Sequence, residues 1–276
     1  MQANISHITV IKSSGNAEPF SLAKYRRSLE RIGVDRKYMN SIVDSITHKL
    51  YDGITTRELY QYTLELLVHY KPRFAHKYSL KEALRLLGPT GYPFEKLVAR
   101  ILIKQGYHAT VSQMMQGACV THEIDVLAHR DSVYTMVECK FHNEAGVKSD
   151  IQTTLYVKAR FEDLKTTNRY AIEYCMLVTN TKFTSQAVQY ASCQNITLLA
   201  WGYPADQGIE TLIDTYHLYP ITALIELSQA DKTVLLNGGF ILCTDVLEHK
   251  NKLQTLGLSE NVIKLLLTHC KVLCEV

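Results

Sequence analysis

The apolar positions of this chain change rhythm at Gly88-Pro89. Before that point the spacing is mostly helical. Ile8 and Val10 alternate with polar neighbours as far as Lys12 and predict a short strand, which runs into the turn-forming Ser13-Ser14-Gly15-Asn16 and implies a two-stranded start. From Ser21, an N-cap residue, Leu22, Tyr25, Leu29 and Ile32 recur at helical spacing until Gly33. Met39, Ile42, Val43, Ile46 and Leu50 predict a second helix. Leu59, Tyr62, Leu66 and Leu67 predict a third that begins near Thr55 or Thr56. A last helix, from about Ser79 to Leu87, ends at Gly88-Pro89, because proline has no N–H with which to continue it.

Beyond Pro89, strands and helices alternate. A helix from about Pro93 to Gln105 stops at Gly106, and three strands follow, around Ala109–Val111, Glu123–Ala128 and Val133–Phe141. A helix from Ser149 to Leu164, a strand from Cys175 to Thr179, a helix from Ser185 to Gln194 and a strand from Ile196 to Trp201 complete the order αβββαβαβ. After Trp201-Gly202-Tyr203-Pro204 only short helices are expected, including Val234–Leu236, Thr244–His249 and Val262–Cys274. The expected fold class is α+β multidomain: a mostly helical domain over 1–88, an α/β domain over 89–203 and a helical C-terminal region over 204–276.

Composition narrows the function classes. The seven cysteines form no even disulfide framework and no CxxC pair, which favours a reducing compartment. The first residues lack a basic flank before an apolar stretch, and ~18 uninterrupted apolar residues occur nowhere, so a soluble, cytoplasmic protein without a membrane partner is expected. The net charge of +3 is unevenly placed: residues 1–88 carry 14 Lys and Arg against 8 Asp and Glu, and residues 89–276 carry 16 against 19. A basic small domain suits nucleotide phosphates or a DNA backbone, and equally a solvated helical surface.

The chemistry is concentrated in His122-Glu123-Ile124-Asp125-Val126-Leu127-Ala128 and Val137-Glu138-Cys139-Lys140-Phe141. Strand alternation puts Glu123 and Asp125 on one face, with Ile124 and Val126 on the other, and Glu138 with Lys140 on one face of the next strand. A tight turn at Arg130–Ser132 sets the strands side by side. Three carboxylates and an ammonium then meet, as phosphodiester hydrolysis requires: hard oxygen ligands for Mg²⁺, a metal-activated water and a cation for the developing charge. The alternative is a solvated hairpin face with cross-strand pairs worth ~0.2–1 kcal/mol each. Acids inside strands otherwise built from Val, Ile, Leu, Met and Cys weigh against it.

With Gly91-Tyr92-Pro93-Phe94-Glu95-Lys96-Leu97-Val98-Ala99 and Gly106-Tyr107 ahead of them, these runs resemble the Mrr-like branch of the PD-(D/E)XK, restriction-endonuclease-like nucleases. The resemblance covers roughly Pro89 to Trp201 and implies a mixed sheet flanked by helices, with the active site where the hairpin strands part. It implies Asp125 and Glu138 as ligands of Mg²⁺ or Mn²⁺, Lys140 as the residue that positions the attacking water, and Glu95 as an additional acid. The family's glutamine on the next helix, with an aromatic four residues on, falls on Gln152 and Tyr156. His122 and His142 flank the site, either as phosphate contacts or as surface residues.

Val10-Ile11-Lys12-Ser13-Ser14-Gly15-Asn16-Ala17-Glu18-Pro19-Phe20, with Lys24 and the later Leu50-Tyr51-Asp52-Gly53-Ile54-Thr55-Thr56, resembles the ATP-cone over residues 5–88. That likeness implies a β-hairpin capping four helices, and Lys12 and Lys24 as phosphate-holding residues for ATP or dATP. The chain departs from the pattern at Ser13, commonly arginine, and at Tyr60, histidine in some members; Arg26, Arg27 or Lys77 could supply the lost charge. Leu256-Gly257-Leu258-Ser259-Glu260 and the leucine-rich helix after it resemble helix–hairpin–helix modules that grip a DNA backbone, with a packing or dimerisation element as the alternative. Together these features predict a nucleotide-regulated, Mg²⁺-dependent endodeoxyribonuclease of restriction or DNA-processing type. Cutting both strands requires two sites, so a homodimer or higher homo-oligomer is expected. The rival is a non-cleaving nucleic-acid-binding module with nucleotide-switched oligomerisation.

Overall fold

A computed structural model describes residues 7–12, 14–167 and 171–274. The chain forms two compact units, divided between Leu80 and Lys81.

In the first unit β1 (Thr9–Ile11) pairs antiparallel with β2 (Ala17–Pro19), and α1 (Leu22–Arg31) starts at Ser21, whose side chain accepts from the Lys24 N–H. After α2 (Arg36–Lys49), the two-residue strand β3 (Ile54–Thr55) joins β1 in parallel, so the sheet has three strands where the sequence implies two. β3 is too short to show any periodicity, and Ile54 is fixed instead by burial against Ile8 and Val10. α3 (Thr56–Tyr70) opens on a capping box between Thr55 and Glu58. α4 (Pro72–Arg85) begins seven residues before the expected Ser79, because proline is well suited to the first position of a helix, where no N–H is needed.

The second unit follows the expected αβββαβαβ order. α5 (Tyr92–Lys104) ends at Gly106, whose φ of 88° suits only glycine readily. β4 (His108–Gln116), β5 (Thr121–Arg130) and β6 (Val133–Lys140) form an antiparallel meander. The short β7 (Lys148–Ser149) leads into α6 (Ile151–Thr166), capped by Asp150. The chain then returns through β8 (Ile172–Thr179), β9 (Lys182–Phe183), α7 (Ser185–Cys193) and β10 (Ile196–Leu199). The five-stranded order is β10-β8-β6-β5-β4, with β8 parallel to both β6 and β10, and β7 pairs with β9 separately. This is the mixed sheet the sequence predicts.

Met136 and Val137 are adjacent on β6 and both fully buried, so both faces of the sheet are covered. Met136 packs with Val157, Phe161 and Leu164 of α6 and with Leu177 of β8, while α5 lies against β4, β5 and β6. The remaining chain is helical: α8 (Ile209–Tyr216), α9 (Gln229–Asn237), α10 (Cys243–Glu248), α11 (Lys250–Leu253) and α12 (Glu260–Cys274). Gly257, at φ 72°, lies between α11 and α12, and α10 packs on α12. No described helix is long and apolar enough to cross a membrane.

Candidate active site

The sheet supplies an opening at Asp125. On the β4 side Val111 opposes Val126 and Gln113 opposes Ile124, while Ser112 between them takes a φ of 51°. On the β6 side, pairing runs from Arg130–Val133 to Val126–Val137 and goes no further. β6 continues on β8, with Glu138 opposite Leu177 and Lys140 opposite Thr179. The strands therefore part at the level of Asp125 and Glu138. The Cys139 N–H, beyond the last β5–β6 pair, donates to Asp125 Oδ2 at 2.7 Å. Strict alternation also fails here: Ile124 and Leu127, three residues apart, pack against the same apolar cluster, so Ile124 does not simply share a face with Val126.

Glu95 enters from the first turn of α5, its N–H bonded to Gly91 O at 3.0 Å. Phe94 packs on Phe141, ring centroids 5.9 Å apart, which holds the start of α5 against the end of β6. A side chain at Gly91 would place its Cβ 3.4 Å from Glu95 Oε1 and 3.7 Å from Phe141 Cβ, so glycine leaves Glu95 its space.

Glu95, Asp125, Glu138 and Lys140 are near enough to perturb one another. Burial pushes the Glu95 carboxyl up to about 7, with the charges of Asp125 and Glu123 adding to it. Burial likewise pushes Glu138 up to about 7; Asp125 and Glu95 add to this, and Arg160 and Lys140 oppose it. Asp125 is raised by burial and by Glu123, against the Cys139 N–H, Arg160 and Lys140. Enclosed carboxylates that repel each other favour a bound cation or proton, and their oxygens are the hard donors that Mg²⁺ and Mn²⁺ take. Lys140 is exposed at the end of β6, and Gln152 is exposed in the first turn of α6.

Sequence reasoning missed Arg160. From the third turn of α6 its Nη1 donates to Glu138 Oε2 at 2.6 Å and to the Glu123 carbonyl at 3.0 Å. Its Nη2 bonds the Tyr156 hydroxyl, and the guanidinium lies 4.8 Å from the centre of the Tyr156 ring. The signal was the helical stripe already in hand, since Gln152, Tyr156 and Arg160 follow at steps of four. Asp163, the next turn on, also went unnoticed. It bonds His122 Nε2 at 2.7 Å and the Cys119 N–H at 2.8 Å, and these bonds hold its carboxyl down at about 2. His122 is thereby tied to α6, and His142 Nε2 bonds Ser149 Oγ at 3.1 Å.

In the first unit Lys12 and Lys24 converge on Glu18 of β2: Lys12 makes a close ion pair with it, and Lys24 Nζ lies 3.9 Å from Glu18 Oε2. Ser13 lies outside the described residues. Tyr60 stacks on Tyr78, ring centroids 5.4 Å apart, and Arg26 bonds Asn40 at 3.1 Å.

Comparison with known proteins extends this picture over most of the chain. Residues 8–86 match the ATP cone domain, residues 87–202 the Mrr-type restriction endonuclease domain, and residues 219–274 the AF1548-like C-terminal domain. A solved structure described as a protein of unknown function, AF1548, is 35% identical, with 67% of this chain and 98% of that one covered and a TM-score of 0.57. The chain belongs to the AF1548-like family. An uncharacterized protein of Archaeoglobus fulgidus is 39% identical over 166 residues, covering 59% of this chain and 91% of the relative. The structure of Can2 from Sulfobacillus thermosulfidooxidans, in complex with cyclic tetra-adenylate, matches at 12% identity over 67% of this chain and 60% of that one; its TM-score of 0.32 is too low to signify a shared fold. The AF1548-like chain thus combines a nucleotide-binding type of domain with a nuclease type of domain, and the site described above lies within the second.

Proposed function

We propose that this protein is a nucleotide-regulated, Mg²⁺-dependent endodeoxyribonuclease that acts as a homodimer. The observation that carries this reading is the parting of β5 and β6, where Asp125, Glu138 and Lys140 meet within a stretch that matches a restriction endonuclease domain. Asp125 and Glu138 hold the metal, with Glu95 as a third acid from α5. A bound Mg²⁺ lowers the pKa of a coordinated water and offsets charge on the phosphate. The Cys139 N–H fixes the Asp125 carboxylate through one oxygen and leaves the other available. Lys140 orients the attacking water, and Gln152 and Tyr156 line the approach from α6. Two copies of the site serve the two strands of a duplex.

Supercoiled plasmid incubated with Mg²⁺ or Mn²⁺ should be nicked by the wild type and left intact by Asp125→Ala and by Lys140→Ala. Intact plasmid under every condition, or variants that cut as well as the wild type, would leave the non-cleaving binding module as the better reading. ATP or dATP should change the rate through Lys12 and Lys24. Glu18 competes with phosphate for both lysines, so Glu18→Gln should tighten nucleotide binding by about twofold to fivefold, the scale of an exposed ion pair. Titration calorimetry with ATP checks this, and weaker binding by the variant would show that Glu18 supports the site.

A further inference from the structure

We propose that Arg160 is an exchangeable cation, resting on Glu138 until a metal takes that carboxylate and then binding a phosphate of the nucleic-acid backbone. The inference rests on the nuclease reading and adds a residue to it. The Arg160 Nη1 atom donates to Glu138 Oε2 at 2.6 Å, and a divalent ion ligated by that carboxylate would draw its electron density away and compete with the guanidinium for it.

The surroundings supply both a resting place and a reason to leave it. The guanidinium is the positive partner of Glu138 while no other cation is present, in a cluster that also holds Glu95, Glu123, Asp125 and Lys140. A divalent ion on these carboxylates would add positive charge beside the guanidinium and weaken the attraction that holds it there. Arg160 does not depend on Glu138 alone for its position: the Glu123 carbonyl accepts from the same Nη1 at 3.0 Å, and Tyr156 holds Nη2. The Arg160 side chain is 13% exposed, whereas Tyr156, against which it lies, is 57% exposed, so the guanidinium is stored just beneath an open aromatic surface. Its Nε is enclosed and has no hydrogen-bond partner among the described residues. A planar fork with a donor to spare suits a phosphate diester, which accepts two parallel N–H bonds.

Two affinities, measured without cleavage, decide between an exchangeable cation and a fixed strut. Mn²⁺ binding to the metal-free protein is followed by calorimetry, and binding of a labelled DNA duplex by anisotropy in Ca²⁺. Arg160→Met should bind Mn²⁺ about threefold to tenfold more tightly than the wild type and DNA at least about tenfold more weakly, opposite signs that loss of a strut does not give. Arg160→Lys, which keeps the charge should the methionine variant fail to fold, should move both affinities the same ways by less. Weaker Mn²⁺ binding with unchanged DNA binding, or no change in either, overturns the proposal. If the wild type binds no Mn²⁺ that Asp125→Asn removes, the nuclease reading itself falls and this one with it. If that binding is present but Arg160→Met and Arg160→Lys leave both affinities unmoved, only the role of Arg160 falls.

Discussion

Asp125→Asn should lower metal-dependent cleavage by about a thousandfold or more, ~4 kcal/mol of lost transition-state stabilisation, and should also make the protein harder to melt. Both effects have one cause. Asparagine has the shape of aspartate, and its Oδ1 can still accept the Cys139 N–H that now meets Asp125 Oδ2 at 2.7 Å, so the parting of β5 and β6 is preserved. What it removes is a charge that burial and Glu123 disfavour, the same charge that the proposed metal would neutralise. Without divalent ions at pH 8, the melting temperature of the variant should exceed that of the wild type by about 2–4 °C. With Mg²⁺ the order should reverse, because only the wild type gains from ligation. A variant that melts lower than the wild type in metal-free buffer would show that Asp125 is a structural anion.

The metal-free protein should lose stability as the pH rises from about 4.5 to about 7. Glu95 and Glu138 hold their protons up to about 7 in the folded state, against an ordinary value of 4.5. Across that window the folded state carries protons that the unfolded chain has released, so stability is highest below it, falls through it and levels off above it. Two such shifts set an upper bound of roughly 7 kcal/mol; partial exposure of Glu95 and the coupling of the two groups reduce this to on the order of 2–3 kcal/mol. For a unit of this size that is a fall in melting temperature of about 5–10 °C. His142 acts in the opposite sense, since burial and Lys140 hold its ring below the usual histidine value. The contrast with Glu95→Gln/Glu138→Gln isolates the carboxyls, and in that double variant the fall should vanish. Mn²⁺ should protect the wild type at pH 8 far more than at pH 5. A melting curve as steep in the double variant as in the wild type would mean that other groups carry the slope.

The elements that build the site were legible because each has its own local signature. Asp125 and Glu138 stand out as charges in strands of Val, Ile, Leu, Met and Cys, and Gly106 and Ser21 punctuate helices by rules that act over a few residues. Longer-range features were hidden. β3 is two residues long and exists only because β1 lies alongside, and β7 and β9 depend on each other across more than thirty positions. β4 runs on past Val111 to Gln116 with largely polar side chains, as the edge of a sheet permits, so its alternation shows no apolar stripe. Arg160 is twenty-two residues from Glu138, and only the crossing of α6 over the sheet makes them neighbours. Opposite Asp125, between the pairs Val111–Val126 and Gln113–Ile124, Ser112 takes a positive φ that no sequence pattern announced.

The parting of β5 from β6 also sets an order of assembly. β4, β5 and β6 are joined by short turns and can zip together soon after synthesis, whereas β6 gains its second neighbour only when the chain has passed through α6 and come back as β8. A growing chain that ends near Lys140 has its carboxylates in place but neither the Arg160 guanidinium nor the β8 backbone to steady them. The complete acidic site with its guanidinium therefore forms late in translation, after the cone has emerged from the ribosome in full.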